Sequence, residues 1–337
     1  MSVTSQVTDF SDLFTDLSNR VRIATGVSAS ENQAKRYINI ALHDCHIGFD
    51  YKLPWAERSA RLITQAQYTT GTVTATNGST AITGSSTLWN TANAFGVNNM
   101  RANGKIKISG LIPYTISSIS SDTAAVLSNR FVDTTATDST YVYYEDEYDL
   151  ATDFLRPIDA QIFSEEAGIE LIGRTEFRRR YPTNSTPGVP KVACIIDSAP
   201  SGNTTPIRRV RFYPPPSTNL LVPYTYVTSN LAVSSAGVAA ANLSATTDEP
   251  IVPLRYRHAI VLHALYNWYR DKRDDARSGE AKSEYTDLML RIGADYEVGA
   301  NRPQIRPRVS PYASRARRPW SGNSRRYDDG GKWDRLE

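Results

Sequence analysis

The chain has 337 residues, of which 40% are hydrophobic and 22% charged. Its length allows one large domain or two to three small ones. No apolar run approaches the length needed to span a bilayer, and the opening Met1-Ser-Val-Thr-Ser-Gln6 has no signal-peptide core, so no membrane partner or secretory route is expected. Two cysteines, Cys45 and Cys194, are too few for a disulfide framework and suit a reduced cytoplasmic origin. Charge is unevenly placed. Residues 300–337 hold nine Arg and one Lys against four carboxylates, a net of +6, which leaves −3 on the first 299 residues of a chain whose total is +3. A mildly acidic body therefore carries a basic tail.

Residues 1–65 read as helical. Phe10, Leu13/Phe14, Leu17 and Val21 recur at helical spacing and the pattern stops at Gly26. Ser30 followed by Gln33 gives a capping-box signal for a second helix through Tyr37 and Ile40/Ala41 to about Gly48, and Glu57–Ile63 reads as a further short helical turn.

At Tyr68 the composition becomes Thr-rich and alternating. Asn77-Gly78 is a strong hairpin signal, and short strands follow at Lys105–Ser109, Tyr114–Ile119, Ala124–Leu127 and Tyr141–Tyr144. Residues 66–147 are expected to form a small antiparallel barrel or sandwich. Residues 148–250 read as a mixed β part, with strands at Gln161–Phe163, Val192–Ile196, Ile207–Tyr213 and Leu221–Val227; Pro214–Pro216 forms a stiff turn, and 229–248 an exposed loop. Pro253 suits the first turn of a helix that is apolar on most sides through Trp268-Tyr269. A charged break at Arg270–Gly279 and a second helix from about Glu280 complete a hairpin over 251–299. Such a hairpin is buried either in its own chain's core or against neighbouring subunits. Pro303, Pro307, Pro311 and Pro319 exclude a long helix after Gly299, so 300–337 reads as an extended basic arm. The fold class expected is α+β, a helical body with an inserted β-domain, further strands and the arm.

Three constellations invite chemistry. His43-Asp44-Cys45-His46 puts two imidazoles on one helical side, yet a metal site needs further ligands, and only His258 and His263 remain. The run Glu145, Asp146, Glu147, Asp149, Asp153 offers paired carboxylates suited to glycoside hydrolysis, against the plainer reading of a solvated face. Arg178, Arg179 and Arg180 are its natural counterpart across a subunit boundary, or else line a DNA channel. No phosphate-binding Gly-rich loop, nucleophile elbow or His-Glu-x-x-His helix occurs, and neither catalysis nor a cofactor is expected.

Tyr68-Thr-Thr-Gly-Thr-Val-Thr, Asn77-Gly-Ser-Thr, Gly104-Lys-Ile-Lys-Ile, Tyr114-Thr-Ile-Ser-Ser-Ile, Tyr144-Glu-Asp-Glu-Tyr-Asp-Leu and Asp153-Phe-Leu-Arg-Pro157 follow one another in an order that resembles the head-to-tail adaptor (connector) proteins of tailed bacteriophages, in the subfamily with a β-domain inserted into the helical body. The resemblance covers about residues 30–297. It implies a ring of twelve copies without enzymatic activity, joining the portal to the tail tube, nozzle or fibres while genomic DNA passes through. It also implies an arm that reaches the portal, on which Arg302, Arg306, Arg308, Tyr312, Arg315, Arg317, Arg318, Trp320, Arg325 and Arg326 would lie. Independently of the resemblance, an extended arm loses on the order of 1–2 kcal/mol per residue in chain entropy on ordering, which only a partner's surface offsets. Arginines interspersed with aromatics are the residue types for such a surface. The rival readings are a nucleic-acid-binding protein that grips DNA with its tail, a tail-fibre attachment protein, and a tail hydrolase.

Overall fold

A computed structural model of the chain describes residues 7–23, 28–47, 53–110, 112–159, 161–163, 168–182, 186–198, 207–297, 325–328 and 332–335. The architecture is α+β, in two compact units: residues 1–54 with 252–337, and residues 55–251.

The first unit, a short hairpin near the C-terminus apart, is helical among its described residues. Asp9 caps α1 (Phe10–Val21) by accepting a hydrogen bond from the Asp12 amide at 2.9 Å, and Phe10, Leu13 and Leu17 form its buried stripe. α1 ends at Arg22, in the left-handed region (φ 53), so the stop falls before Gly26, which lies outside the described residues. α2 (Ser28–Ile47) already contains Ser30 as a helical residue, so the expected capping box does not start it. Its stripe is Ala34, Ile38, Ala41, Leu42 and Cys45.

Within this unit the helix expected from Pro253 is preceded by a single 3-10 turn, Leu254–Tyr256. A third long helix of the unit runs His258–Asp271 and a fourth Asp275–Glu297; these are α4 and α5 of the chain, α3 (Arg174–Arg180) belonging to the second unit. α4 packs against α1, α2 and α5 together, which accounts for its apolar circumference: Ala259, Ile260, Val261, Leu262, Ala264, Leu265 and Trp268 are all buried. The hairpin is thus a core element of its own chain. The charged break is shorter than expected. Asp274 accepts hydrogen bonds from the Arg277 and Ser278 amides and starts α5 near Asp275, so the helix runs through Gly279. Arg257, 7% exposed, donates to the carbonyls of Val252 and Thr8 and ties the segment before α1 to the base of α4.

Among its described residues the second unit is mostly strand, with one α-helix, α3. Glu57–Ile63 is β1, a strand and not a helical turn, because all seven residues pair with a strand at Leu221–Thr228. The inserted part contains β2 (Thr72–Ala75), β3 (Ala81–Ser85), β4 (Lys105–Ile108), β5 (Pro113–Ser121), β6 (Ala124–Leu127), β7 (Ala136–Ser139) and β8 (Tyr141–Tyr144) in one seven-stranded sheet, order β7-β2-β3-β6-β5-β4-β8. Alternation explains it: Thr72–Ala75 and Lys105–Ile108 each bury every second residue. Gly78, at φ +81, supplies the left-handed turn position between β2 and β3. The sheet curls around Trp89, Ile106, Ile116, Phe131 and Tyr143. β7 and β8 are one run broken at Thr140, pairing with β2 at one end and β4 at the other. The reciprocal Tyr68–Tyr143 bridge (2.9 Å each way) then brings the two ends of the curl together.

The chain continues into β9 (Glu147–Asp149), β10 (Phe154–Pro157), β11 (Gln161–Phe163), β12 (Gly168–Leu171), then α3, β13 (Val192–Ser198), β14 (Ile207–Tyr213) and β15 (Leu221–Thr228). A three-stranded sheet β1-β15-β10 and a five-stranded sheet β11-β12-β13-β14-β9 share one core, built from Leu62, Tyr148, Phe154, Ile169, Phe212, Val222 and Tyr224 among others. β12 and β13 are parallel, so a crossover must join them, and α3 is that crossover. Residues 229–248 are not simply an exposed loop: β16 (Ala232–Val233) pairs with β17 (Ala239–Ala240) and β18 (Glu249–Pro250) over buried Leu231 and Leu243. Near the C-terminus the backbones of β19 (Arg325–Asp328) and β20 (Lys332–Arg335) pair antiparallel, so the last part of the expected arm is a hairpin.

Candidate functional site

The acidic run lies where the chain leaves the curled sheet at Tyr144 and enters β9. Its first two members do not lie on a solvated face. Glu145 and Asp146 are 4% and 1% exposed, and both are met by cations of their own chain. Arg101 grips Glu145 through two parallel hydrogen bonds, from Nε (2.9 Å) and Nη2, while the Tyr143 hydroxyl donates to the same carboxylate. Lys105 of β4 reaches Asp146 at 2.7 Å, and Arg211 of β14 reaches the same carboxylate oxygen at 2.9 Å. One carboxylate thus joins the inserted sheet to the five-stranded sheet. Further along, Arg209 (6% exposed) is held by Asp149 at 2.5 Å and Glu147 at 3.8 Å.

Taking such ion pairs out of water is costly, and the hydrogen bonds made to the enclosed carboxylates offset part of that cost. The electrostatics agree. Burial alone would lower the pKa of Arg101, but its hydrogen bonds to Glu145 and the field of that carboxylate outweigh burial and raise it. Burial pushes the Tyr143 hydroxyl far above its usual range, and Glu145 pushes it further, so it remains a donor. Glu145, Asp146 and Glu147 were expected to face a neighbouring subunit or a channel. The first two are instead enclosed and ion-paired inside the chain, while Glu147 and Asp149 keep 21% and 57% exposure beside Arg209.

Sequence reasoning named the carboxylates and missed their partners Arg101, Lys105, Arg209 and Arg211. The one signal was alternation: Lys105 and Lys107 flank Ile106, and Arg209 and Arg211 flank Val210, so strands with an apolar core face place their cations on the other.

Arg178, Arg179 and Arg180 lie on α3 and are exposed, as is Arg174. The helix is anchored by Phe177, 1% exposed, with the Arg211 guanidinium 5.9 Å from its ring and Tyr181 edge-on at 5.6 Å; Tyr181 in turn stacks on Tyr213 at 3.9 Å. Arg180 pairs with Glu176 at 2.5 Å, whereas Arg174, Arg178 and Arg179 make no ion pair among the described residues. The structure does not bring these arginines to the acidic run.

The His43–His46 constellation is a helix face. The buried His46 ring bonds the Leu42 carbonyl at 2.7 Å, and burial lowers its pKa to about 4. Cys45 accepts from the Tyr285 hydroxyl at 3.6 Å, and burial raises its thiol to about 12. His263 lies 3.6 Å from Asp44. No group of three or more His, Cys, Asp or Glu among the described residues could hold a metal ion, and no helix there is long and apolar enough to cross a membrane. Arg302, Arg306, Arg308, Tyr312, Arg315, Arg317, Arg318 and Trp320 lie outside the described residues, and of Arg325 and Arg326 only the backbone, in β19, is described.

A family model described as the SU10 adaptor protein matches residues 8–311. No curated protein matches the chain.

Proposed function

Because the chain belongs to the SU10 adaptor protein family, we propose that it is a structural protein of the tailed-phage virion, the head-to-tail adaptor that joins the portal to the tail. Copies form a ring, twelve by analogy with phage connectors, around a channel through which the genome passes without sequence-specific contact. The protein assembles in the host cytoplasm and works mechanically: it has no substrate and needs no cofactor. The observation that carries this reading is the family match, which spans both the helical unit and the β unit.

The basic arm is the proposed portal contact, with Arg302, Arg306, Arg308, Tyr312, Arg315, Arg317, Arg318, Trp320, Arg325 and Arg326 as its anchors. Support comes from the charge split, +6 on residues 300–337 against −3 on the rest. The inserted β-domain is the proposed contact for the tail or its fibres.

Native mass spectrometry of the full chain and of a truncation after Gly299, each alone and with the cognate portal, tests the proposal. A ring that forms on the portal and needs the arm is the expected result. A protein indifferent to the portal, whose tail binds DNA with an affinity falling steeply in salt, would instead support the nucleic-acid reading.

A further inference from the structure

We propose that α3 of one copy meets α5 of a second copy, through an arginine stripe on the first and a carboxylate stripe on the other. The inference rests on the ring reading above and names two surfaces that would build the ring.

α3 presents Arg174 and Arg178 four residues apart, hence on one side, with Arg179 beside them. Like charges at this spacing disfavour a helix, and nothing among the described residues of the chain neutralises them. Residues 171–191 carry five cations and one carboxylate, a net of +4, while the rest of residues 1–299 then carries −7. The patch is therefore a local reversal of the body's charge, and an acidic surface is what it fits.

α5 supplies the converse pattern. Glu280, Glu284 and Asp287 recur at spacings of four and three and are all exposed. Of the cations on the same helix, Arg277 lies 5.8 Å from the Tyr269 ring and 3.6 Å from Asp274, and Lys282 lies 5.8 Å from the Tyr266 ring; Arg291, four residues beyond Asp287, is exposed and makes no ion pair among the described residues. None of the three carboxylates makes a hydrogen bond or ion pair among the described residues; Glu284 acts only at longer range, on His258. Leu290, 52% exposed and three residues beyond Asp287, adds an apolar contact beside the stripe.

Two helices with unanswered charges of opposite sign and matching count suit a contact between different surfaces of identical copies. That is the kind of contact that closes a ring. DNA is the poorer occupant of α3, because three free guanidinium groups neutralise few phosphates and leave the α5 stripe unexplained.

The test uses the full-length protein, by sedimentation and native mass spectrometry at low and high salt, with and without the portal. R174E/R178E and E280R/E284R are each expected to weaken self-association by roughly tenfold or more, since like charges across an interface cost more than a rim pair gains. The combined variant is expected to restore it. The milder R174Q/R178Q and E280Q/E284Q, with circular dichroism on all variants, separate loss of contact from loss of fold. A wild-type chain that stays monomeric under every condition would sink the ring reading itself. A wild-type oligomer indifferent to either reversal would overturn the α3–α5 contact alone. Reversals that break the oligomer without rescue in the combined variant would overturn it as well, and gel-shift binding lost only in R174E/R178E would then assign α3 to DNA.

Discussion

Asp146→Asn removes one charge and changes almost no volume, yet it strikes the point where Lys105, from the inserted sheet, and Arg211, from the five-stranded sheet, share an oxygen at 2.7 and 2.9 Å. The Asp146 side chain is fully enclosed, and Lys105 and Arg211 retain 19% and 26% exposure. Deleting one partner of an enclosed ion pair costs about 3–5 kcal/mol, because the remaining charge stays in a poorly solvated place. Here the two cations can turn part of their charge to water, which sets the expected loss near the lower end, ~3 kcal/mol. For a unit of this size that is a fall in Tm of about 6–12 °C. Scanning calorimetry gives the shift, and amide exchange should show protection lost in both β4 and β14. Asp197→Asn is the internal control: Asp197 and its partner Arg208, 2.8 Å apart, are 53% and 44% exposed, and breaking the pair should cost less than about 1 kcal/mol. If Asp146→Asn moves Tm by no more than Asp197→Asn does, the junction is an ordinary surface pair and the argument is wrong.

His46 gives a pH signature. Its folded pKa of about 4 lies below the usual 6.5, so the unfolded chain takes up a proton first as pH falls. The stability of the helical unit should therefore be full above pH 6.5 and decline between 6.5 and 4, by up to about 3 kcal/mol, and His46→Gln should flatten that slope in denaturant titrations. Gly104→Ala would place a Cβ 2.2 Å from the Tyr143 hydroxyl and dislodge it from Glu145; a loss of about 1–3 kcal/mol is expected in chemical denaturation. Cys45 and Cys194, with thiols raised by burial to about 12 and about 11, should resist alkylation at pH 8 until the protein unfolds, and a rapidly modified native thiol would contradict their placement.

Much of the fold was legible where a local pattern and the final structure agree. Ala124–Leu127, Tyr141–Tyr144 and Ile207–Tyr213 are strands with the bounds their alternation suggests, and the α4 segment shows its burial in its composition. The failures share a cause. Glu57–Ile63 is made of residues a helix accepts, and only pairing with β15 makes it a strand. α3 exists because β12 and β13 run parallel, which no local pattern states. α5 starts early because Asp274 caps it, a signal hidden in a charged stretch that reads equally well as a break. The junction was half visible. Five acids in nine residues attract notice, but their cations arrive from 41 to 65 positions away, and enclosure, which turns a solvated face into a clamp, belongs to the folded chain alone.

The run from Ala136 to Tyr144 serves both ends of the curled sheet, pairing with β2 and β4 in turn, and the Tyr68–Tyr143 bridge fastens it. An open sheet of short Thr- and Val-bearing strands would offer unpaired N–H and C=O rows to any similar sheet nearby. With its ends joined, the domain keeps only brief lengths of free edge, so a second sheet of the same kind finds little to pair with. Crowded domains of this build can jostle without fusing, and a change that opened the Tyr68–Tyr143 seam would turn each copy into a template for the next.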